Sequence, residues 1–301
     1  MYKTHREYRK AWDTAIVKTP KVPLNLDIEL ASVCNLLCPF CFIANPNHKQ
    51  IHRFMDLDPA IRIINEANRI GIPALKMGWR GESTLNPNFS RIVEYAAQFP
   101  FHDLLINTNG NYGEHAIDGM MACTKVMFSL DSTVEATYNN IRVGGDMLTV
   151  LNNISKLIKA GHKNIWVRRV ISDLNEREDF SGNVKRIFGD SVKVAEHYCF
   201  DRVKKQDKPA KRVYCGYPSQ RLIVAVDGGI YPCCVDYDCT MPVGTAPALE
   251  SAWNSDGLDT LRMVLKNQSV KTFPAACKGC TSWMSYDSPK RDFVQDREIN
   301  K

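Results

Sequence analysis

Between residues 24 and 195 strand-like and helix-like segments alternate six times, and few folds accept that order. Residues 24–30 alternate as a strand. Residues 59–70 repeat apolar side chains at helical spacing, with Asp58 placed to cap the helix. Residues 74–79, 104–107, 125–130, 164–170 and 192–195 read as further strands. Residues 89–97, 114–122, 147–160 and 177–187 read as the intervening helices. A strand followed by a crossover helix returns parallel to itself, so the pattern predicts an α/β fold with a parallel sheet. Six units are too few for a closed eight-stranded barrel. The expectation is a partial (β/α)6 barrel with its chemistry at the C-terminal ends of the strands.

Flanking segments differ in character. Residues 5–16 read as a short basic helix, followed by a proline-marked linker, Thr19-Pro20-Lys21-Val22-Pro23. Residues 204–212 are polar and basic and read as a loop. Beyond them, strand-like residues 221–226 and 230–233 flank Asp227-Gly228-Gly229, a hairpin signal. Short helices are expected at 247–254 and 257–266. The predicted organisation is an N-terminal helix and linker over 1–23, a barrel over 24–200 and a small cysteine-rich unit over 201–301.

Apolar residues make up 44% and charged residues 24%, a balance that suits a water-soluble globular chain. No apolar run reaches membrane-spanning length, and the charged start MYKTHREYRKAWD carries no export signal, so a cytoplasmic location is expected. The net charge of +6 is spread over scattered Lys and Arg, which fits a pocket for anions as well as a solvated surface. Nucleic acid is not an expected partner. Eleven cysteines without an export signal point to metal binding rather than disulfides.

Three of these cysteines stand together directly after the first strand, in Cys34-Asn-Leu-Leu-Cys38-Pro-Phe-Cys41. Three thiolates in a CxxxCxxC loop can hold three irons of a cubane and leave the fourth open to another ligand. A structural zinc would need a fourth ligand, for which His48 and His52 are the local candidates. The spacing, with aromatic Phe40 before the last cysteine, resembles the radical S-adenosylmethionine (SAM) superfamily. That resemblance implies a [4Fe-4S] cluster on Cys34, Cys38 and Cys41. It further implies that SAM would chelate the open iron and be reductively cleaved to a 5′-deoxyadenosyl radical, with Phe40 expected to pack by the adenine.

Other segments fall where the family has its motifs. Gly81-Glu82 is similar to the segment that receives the SAM amino group. Asn109 ends the third strand within reach of substrate or SAM. Ser129 in Ser129-Leu130-Asp131 resembles the ribose contact. Either Arg168 or Arg169 on the fifth strand is expected to pair with the SAM carboxylate, and Arg169 is the choice adopted. Side chains alternate along a strand, so only one of the two can face the site.

Cys215, Cys233, Cys277 and Cys280 form a second set, separated by 17 residues, 43 residues and a CxxC spacing. By themselves they fit either a closed iron–sulfur cluster or structural zinc. The hairpin Asp227 to Cys233 followed by a late CxxC resembles the SPASM/twitch extension of radical SAM enzymes. The single-cluster twitch form is implied, with a second, auxiliary [4Fe-4S] cluster on those four cysteines. Cys123 reads as core, while Cys199, Cys234 and Cys239 are possible hydrogen-atom donors.

A cluster closed by four cysteines serves most simply as an electron acceptor. The expected reaction is therefore hydrogen abstraction from a small polar substrate and oxidation of a sugar or aminocyclitol alcohol. His197, Cys199 and Arg202 are the catalytic candidates, and an external donor such as flavodoxin or ferredoxin supplies electrons. Two alternatives are a redox-neutral epimerase or isomerase acting on a sugar or nucleotide, and a peptide maturase. Such maturases often carry an N-terminal leader-binding domain; only about 23 residues precede the first strand, which argues against the maturase but leaves room for a separate leader-binding partner. A third, non-enzymatic alternative is a metal-binding module for RNA.

Overall fold

The computed structural model describes residues 2–15, 17–45, 51–198, 211–212, 215–267, 272–278, 280 and 284–285. Six parallel strands run in sequence order: β1 (Asn25–Ile28), β2 (Ala74–Met77), β3 (Asp103–Thr108), β4 (Lys125–Ser129), β5 (Ile165–Ile171) and β6 (Lys193–Tyr198). Helices α2 (Leu57–Ile70), α3 (Phe89–Ala96), α4 (Ile117–Ala122), α5 (Glu135–Ile141), α6 (Met147–Lys159) and α7 (Phe180–Phe188) form the crossovers. The register is in phase across neighbours, with Leu26 opposite Leu75, Ile106 opposite Val126 and Phe128 opposite Val167. These residues share the outward face of the sheet and bury against Ile64, Phe89, Ile92 and Ile154 of the helices. Apolar burial on this scale, at about 25 cal/mol per Å² of surface removed from water, is what holds the barrel.

Three local expectations shift. The chain enters α2 at Leu57 with Asp56 in extended conformation before it, so Asp58 lies inside the first turn rather than capping it. The sixth helix starts at Phe180, because the Asp179 carboxylate accepts from Gly182 N (3.1 Å) and fixes the start there. Helix α5, absent from the pattern reading, fills the connection between β4 and α6.

The N-terminal helix α1 (His5–Thr14) closes the bottom of the barrel. Its buried Tyr8 and Trp12 pack on Leu24 and Ala74, and His5 pairs with Asp103 at the start of β3.

The cysteine-rich unit is joined to the barrel through its sheet. The two-residue strand β7 (Lys211–Arg212) is followed by β8 (Arg221–Val224), which turns at Asp227–Gly229 into antiparallel β9 (Gly229–Tyr231), as the hairpin signal predicts. Strand β8 also lies parallel to β1, with Leu26 opposite Leu222 and Ile28 opposite Val224. With β10 (Gly244–Thr245) the result is one nine-stranded sheet ordered β10-β9-β8-β1-β2-β3-β4-β5-β6. Helices α8 (Leu249–Trp253), α9 (Asp256–Lys266) and α10 (Ala275–Lys278) follow, and β11 (Met284–Ser285) pairs with β7. Among the described residues no helix is long and apolar enough to cross a membrane.

Candidate active site

A cavity of about 280 Å³ opens at the C-terminal ends of the barrel strands. Cys34, Cys38, Cys41 and Phe40 from the loop after β1 form one side. Gly81 and Glu82 after β2, Asn107 and Asn109 at the end of β3, Ser129 on β4 and Arg168 on β5 also line it. Every strand end that the sequence motifs select, from β1 to β5, therefore contributes to one space.

Glu82 is the organising group. Its buried carboxylate accepts from Thr84 Oγ1 (2.8 Å), Thr108 Oγ1 (2.9 Å) and Asn109 N (2.7 Å), tying the loop after β2 to the end of β3. Burial pushes its pKa up, against the pull of those donors. Oε2 takes only the Asn109 amide among these three, which leaves it room for a further donor. Asn109 Nδ2 donates to Asn35 Oδ1 (2.8 Å) and lies 3.8 Å from Cys34 Sγ, so the strand end touches the cysteine loop.

Gly81 sets the approach of these parts. Its φ is +45°, and a Cβ there would stand 2.3 Å from Ala31 O and 2.5 Å from Val33 O. Glu82 N donates to Val33 O (2.8 Å) across the same contact. Two backbones meet where no side chain fits. Gly81→Ala is expected to destabilise the protein by about 3 kcal/mol and to weaken SAM binding by about tenfold, checked by thermal melting and calorimetry.

Strand parity decides between the two arginines. Arg168 faces the cavity and donates to Ser129 Oγ (3.0 Å). Arg169, the adopted choice for the SAM carboxylate, is instead turned to the helical layer. There it donates to Glu196 Oε2 (2.6 Å) and Asn175 O (2.7 Å) and lies over the Phe180 ring at 5.1 Å. The assignment of Arg169 to the cofactor is corrected on that geometry.

On β6, Glu196 points outward to Arg169 and Ser181, so His197 points inward, opposite Val170 of the cavity wall. Burial, then the charges of Arg168 and Lys125, lower the His197 pKa below its ordinary value and hold the imidazole neutral. The other two catalytic candidates, Cys199 and Arg202, lie outside the described residues.

Sequence reasoning missed Arg142, at the end of α5. Its guanidinium is 3.7 Å from Cys38 Sγ and 5.8 Å from the centre of the Phe40 ring, and it pairs with Asp131 Oδ2 at 2.6 Å. Asp131 adopts a left-handed backbone, φ 64°, and also accepts from Val170 N (2.6 Å). Arg142 Nε is buried without a hydrogen-bond partner among the described residues, while the side chain itself lines the cavity. The only sequence signal is the Gly144-Gly145 turn that follows Arg142 and returns the chain to the cysteine loop, where Leu37 N donates to Val143 O (2.9 Å).

The auxiliary unit also reaches the cavity. Tyr237 lines it and stacks on Phe42 of the cysteine loop at 4.0 Å. Arg80 clamps the contact. It makes two bonds to buried Glu29 (2.7 and 2.8 Å), one to Tyr237 O (3.0 Å) and one to Cys239 Sγ (3.2 Å). Trp79 Nε1 donates to Cys234 O (2.8 Å).

Cys215, Cys233, Cys277 and Cys280 line a separate, largely apolar cavity with Tyr217, Met241 and Leu261. Cys234 and Cys239 are not in that set; they pack with Trp79 against Ile223, Ala225 and Tyr231. Burial pushes the Cys34 and Cys215 thiols up to about 12 and Cys277 to about 11, so a metal must displace their protons. Among the described residues no three His, Cys, Asp or Glu side chains close on a single metal ion. Cysteines spread around a space suit a cluster, in which each iron takes its own thiolate. The residues present therefore fit an open cluster with SAM in the first cavity and a closed cluster in the second.

Residues 28–181 match the model of the radical SAM superfamily. The chain belongs to that superfamily. Residues 215–281 match the model of an iron–sulfur cluster-binding domain, SPASM. The protein is thus a radical SAM enzyme, using a [4Fe-4S] cluster and SAM and carrying an auxiliary iron–sulfur domain. A GTP 3′,8-cyclase of Synechocystis sp. is 26% identical over 52% of this chain and 48% of its own length. A GTP 3′,8-cyclase of Clostridium botulinum (strain Langeland) is 24% identical over 71% of this chain and 67% of its own. The chain thus spans about half to two thirds of the length of these relatives.

Among solved structures, BtrN in complex with AdoMet and 2-DOIA is 16% identical, with a TM-score of 0.57 over 86% of this chain and 93% of that one. Streptococcus suis SuiB bound to precursor peptide SuiA is 14% identical, with a TM-score of 0.63 over 84% of this chain and 69% of that one. At such identities the likeness is one of fold.

Proposed function

We propose that this radical SAM enzyme oxidises an alcohol carbon of a small polar substrate, a sugar or aminocyclitol, to a ketone. The observation that carries the reading is the segment Cys233–Tyr237. It begins in the four-cysteine cavity and ends in the wall of the barrel cavity, so a second redox centre stands one short loop from the substrate space. In this reading Cys34, Cys38 and Cys41 hold the open cluster, and Cys215, Cys233, Cys277 and Cys280 the closed one.

When bound, these groups and SAM remove one hydrogen atom from the carbinol carbon, as 5′-deoxyadenosine, and one electron to the auxiliary centre, while the hydroxyl proton leaves to a base and C=O forms. The chain's own residues bind and orient. Glu82 Oε2 receives the SAM ammonium, and Arg142, beside Cys38 and Phe40, takes its carboxylate through a guanidinium fork. Ser129 holds the ribose, and Asn109 fixes Asn35 in the cysteine loop. Phe42 and Tyr237 cover the space from water. His197, kept neutral, takes the hydroxyl proton. A flavodoxin- or ferredoxin-like protein returns electrons.

BtrN, whose structure holds AdoMet and 2-DOIA, matches this chain over nearly its whole length, which supports a small-molecule substrate. Similarity to GTP 3′,8-cyclases favours a second reading, redox-neutral radical chemistry on a nucleotide. Turnover in heavy water separates the two. The oxidation gives one ketone per 5′-deoxyadenosine with no new deuterium at carbon, whereas deuterated product from a thiol donor overturns it. The rate is also expected to be level through neutral pH and to fall only on the acid side of the ordinary histidine range, as His197 gains a proton, a limb that His197→Gln removes.

A further inference from the structure

Two sulfurs of the three-cysteine loop are met by hydrogen-bond donors, and one of those donors carries a charge. Leu36 N lies 3.5 Å and Asn109 Nδ2 3.8 Å from Cys34 Sγ, and both are neutral amides. Arg142 Nη1 lies 3.7 Å from Cys38 Sγ. Cys38 is buried and the Arg142 side chain is 12% exposed, so water screens the pair little.

The guanidinium gives one nitrogen to the thiol and another to a carboxylate. Its Nη2 pairs with Asp131 Oδ2 at 2.6 Å, and Asp131 is fully buried. Asp131 is itself fixed at two points. Its Oδ1 accepts from Val170 N (2.6 Å), and Asn175 Nδ2 donates to its carbonyl (2.8 Å). Arg142 is therefore held in place whether or not the cavity is filled.

Net charge and donors to the sulfurs govern how readily an iron–sulfur cluster accepts an electron. Reduction adds negative charge, and a cation beside a ligand sulfur lowers the energy of that charge. The carboxylate that pairs with the cation works in the opposite sense.

We propose that Arg142, besides its place beside SAM, sets the reduction potential of the three-cysteine cluster: its charge at Cys38 raises the potential, and Asp131 limits the rise. The proposal rests on the reading of Cys34, Cys38 and Cys41 as ligands of that cluster. In this role Arg142 acts through the Cys38 sulfur and touches no substrate. The raised potential makes the cluster easier to fill by a flavodoxin- or ferredoxin-like donor.

The test is a redox titration of the anaerobic holoenzyme without SAM, poised with dithionite and mediators and read by electron paramagnetic resonance. Dithionite supplies the electron that each reduced cluster takes up. In the unaltered protein, the signal that changes on later addition of SAM marks the open cluster. The auxiliary signal, insensitive to SAM, is the internal reference in every variant. At the potential where the unaltered open cluster is half reduced, Arg142→Gln is expected to lower its reduced-to-oxidised ratio about tenfold, a downward shift of about 59 mV. Arg142→Lys keeps the charge and is expected to restore most of the ratio. Asp131→Asn is expected to raise the ratio, and asparagine accepts the left-handed backbone at that position, φ 64°.

Iron content and melting temperature confirm that each variant is loaded and folded. Opposite shifts from Arg142→Gln and Asp131→Asn mark an effect of charge, which a purely structural role does not produce. Unchanged ratios, or shifts of the same sign in those two variants, overturn the proposal. If Arg142→Gln fails to hold the cluster, Asp131→Asn carries the test, and an unchanged or lowered ratio there overturns it. An unaltered protein with about four irons per chain and no SAM-sensitive signal removes the reading of the three cysteines, and the proposal with it.

Discussion

Cys38→Ala is expected to give protein that releases no 5′-deoxyadenosine from SAM above background, a loss of activity too large to measure as a partial rate. Cys38 is buried at the base of the first cavity, and its sulfur lies next to the Arg142 guanidinium. Alanine removes one of three proposed iron ligands and leaves the Arg142–Asp131 pair facing the gap. A cubane held by two thiolates does not persist, so iron is expected to fall from about eight to about four atoms per chain. Iron and sulfide analysis of anaerobically purified protein checks the metal, and chromatography of the reaction mixture checks the cleavage. Loss of cleavage with the full iron count would sink the ligand assignment, because the cluster would then be held by other residues.

Cys277→Ala separates the two cavities. Cys277 belongs to the set with Cys215, Cys233 and Cys280, remote in sequence from the SAM motifs. The proposed auxiliary cluster is expected to be lost or to leave an open iron, while the first cluster remains. Reductive cleavage of SAM should continue, but ketone formation should fall by at least about a hundredfold, since the substrate radical loses its electron acceptor. Electron paramagnetic resonance of the reduced variant, beside product analysis, checks both halves. Unimpaired ketone formation would restrict that cluster to a structural role.

The second result also depends on the contact between the two units. Glu29 is fully buried, and its cationic partner among the described residues is Arg80, whose other donors reach Tyr237 O and Cys239. Removing one member of such a pair leaves a buried charge uncompensated, at a cost of about 3–5 kcal/mol. The arginine just before Gly81 thus ties the Gly81-Glu82 turn to the Tyr237–Cys239 loop, and nothing in the spacing of Arg80-Gly81-Glu82 announces that role.

Much of the barrel was legible because its strands are short apolar runs between strongly periodic helices. Strands β2 to β5 fall within a residue or two of their expected positions, and the second helix, which needs no partner to show its period, does as well. The cysteine loops were legible for a different reason: a cluster demands its ligands at close spacing, so chemistry leaves a local mark. Arg168 and Arg169 mark the limit. In Trp166-Val167-Arg168-Arg169-Val170 either arginine can be taken to face inward, and only the packing of Phe180 and the pairing with Glu196 give Arg169 to the outside.

From its sequence alone this protein had a parallel α/β barrel, a three-cysteine loop at the catalytic end and a second four-cysteine set, because hydrophobic period and ligand spacing are properties of neighbouring residues. Only the tertiary structure brought Arg142 to Cys38, laid β8 alongside β1 and stacked Tyr237 on Phe42. Those contacts join residues roughly 100 to 200 positions apart. They exist because burying strand edges and aromatic faces lowers the free energy of the assembled chain, a gain that no local stretch of sequence encodes.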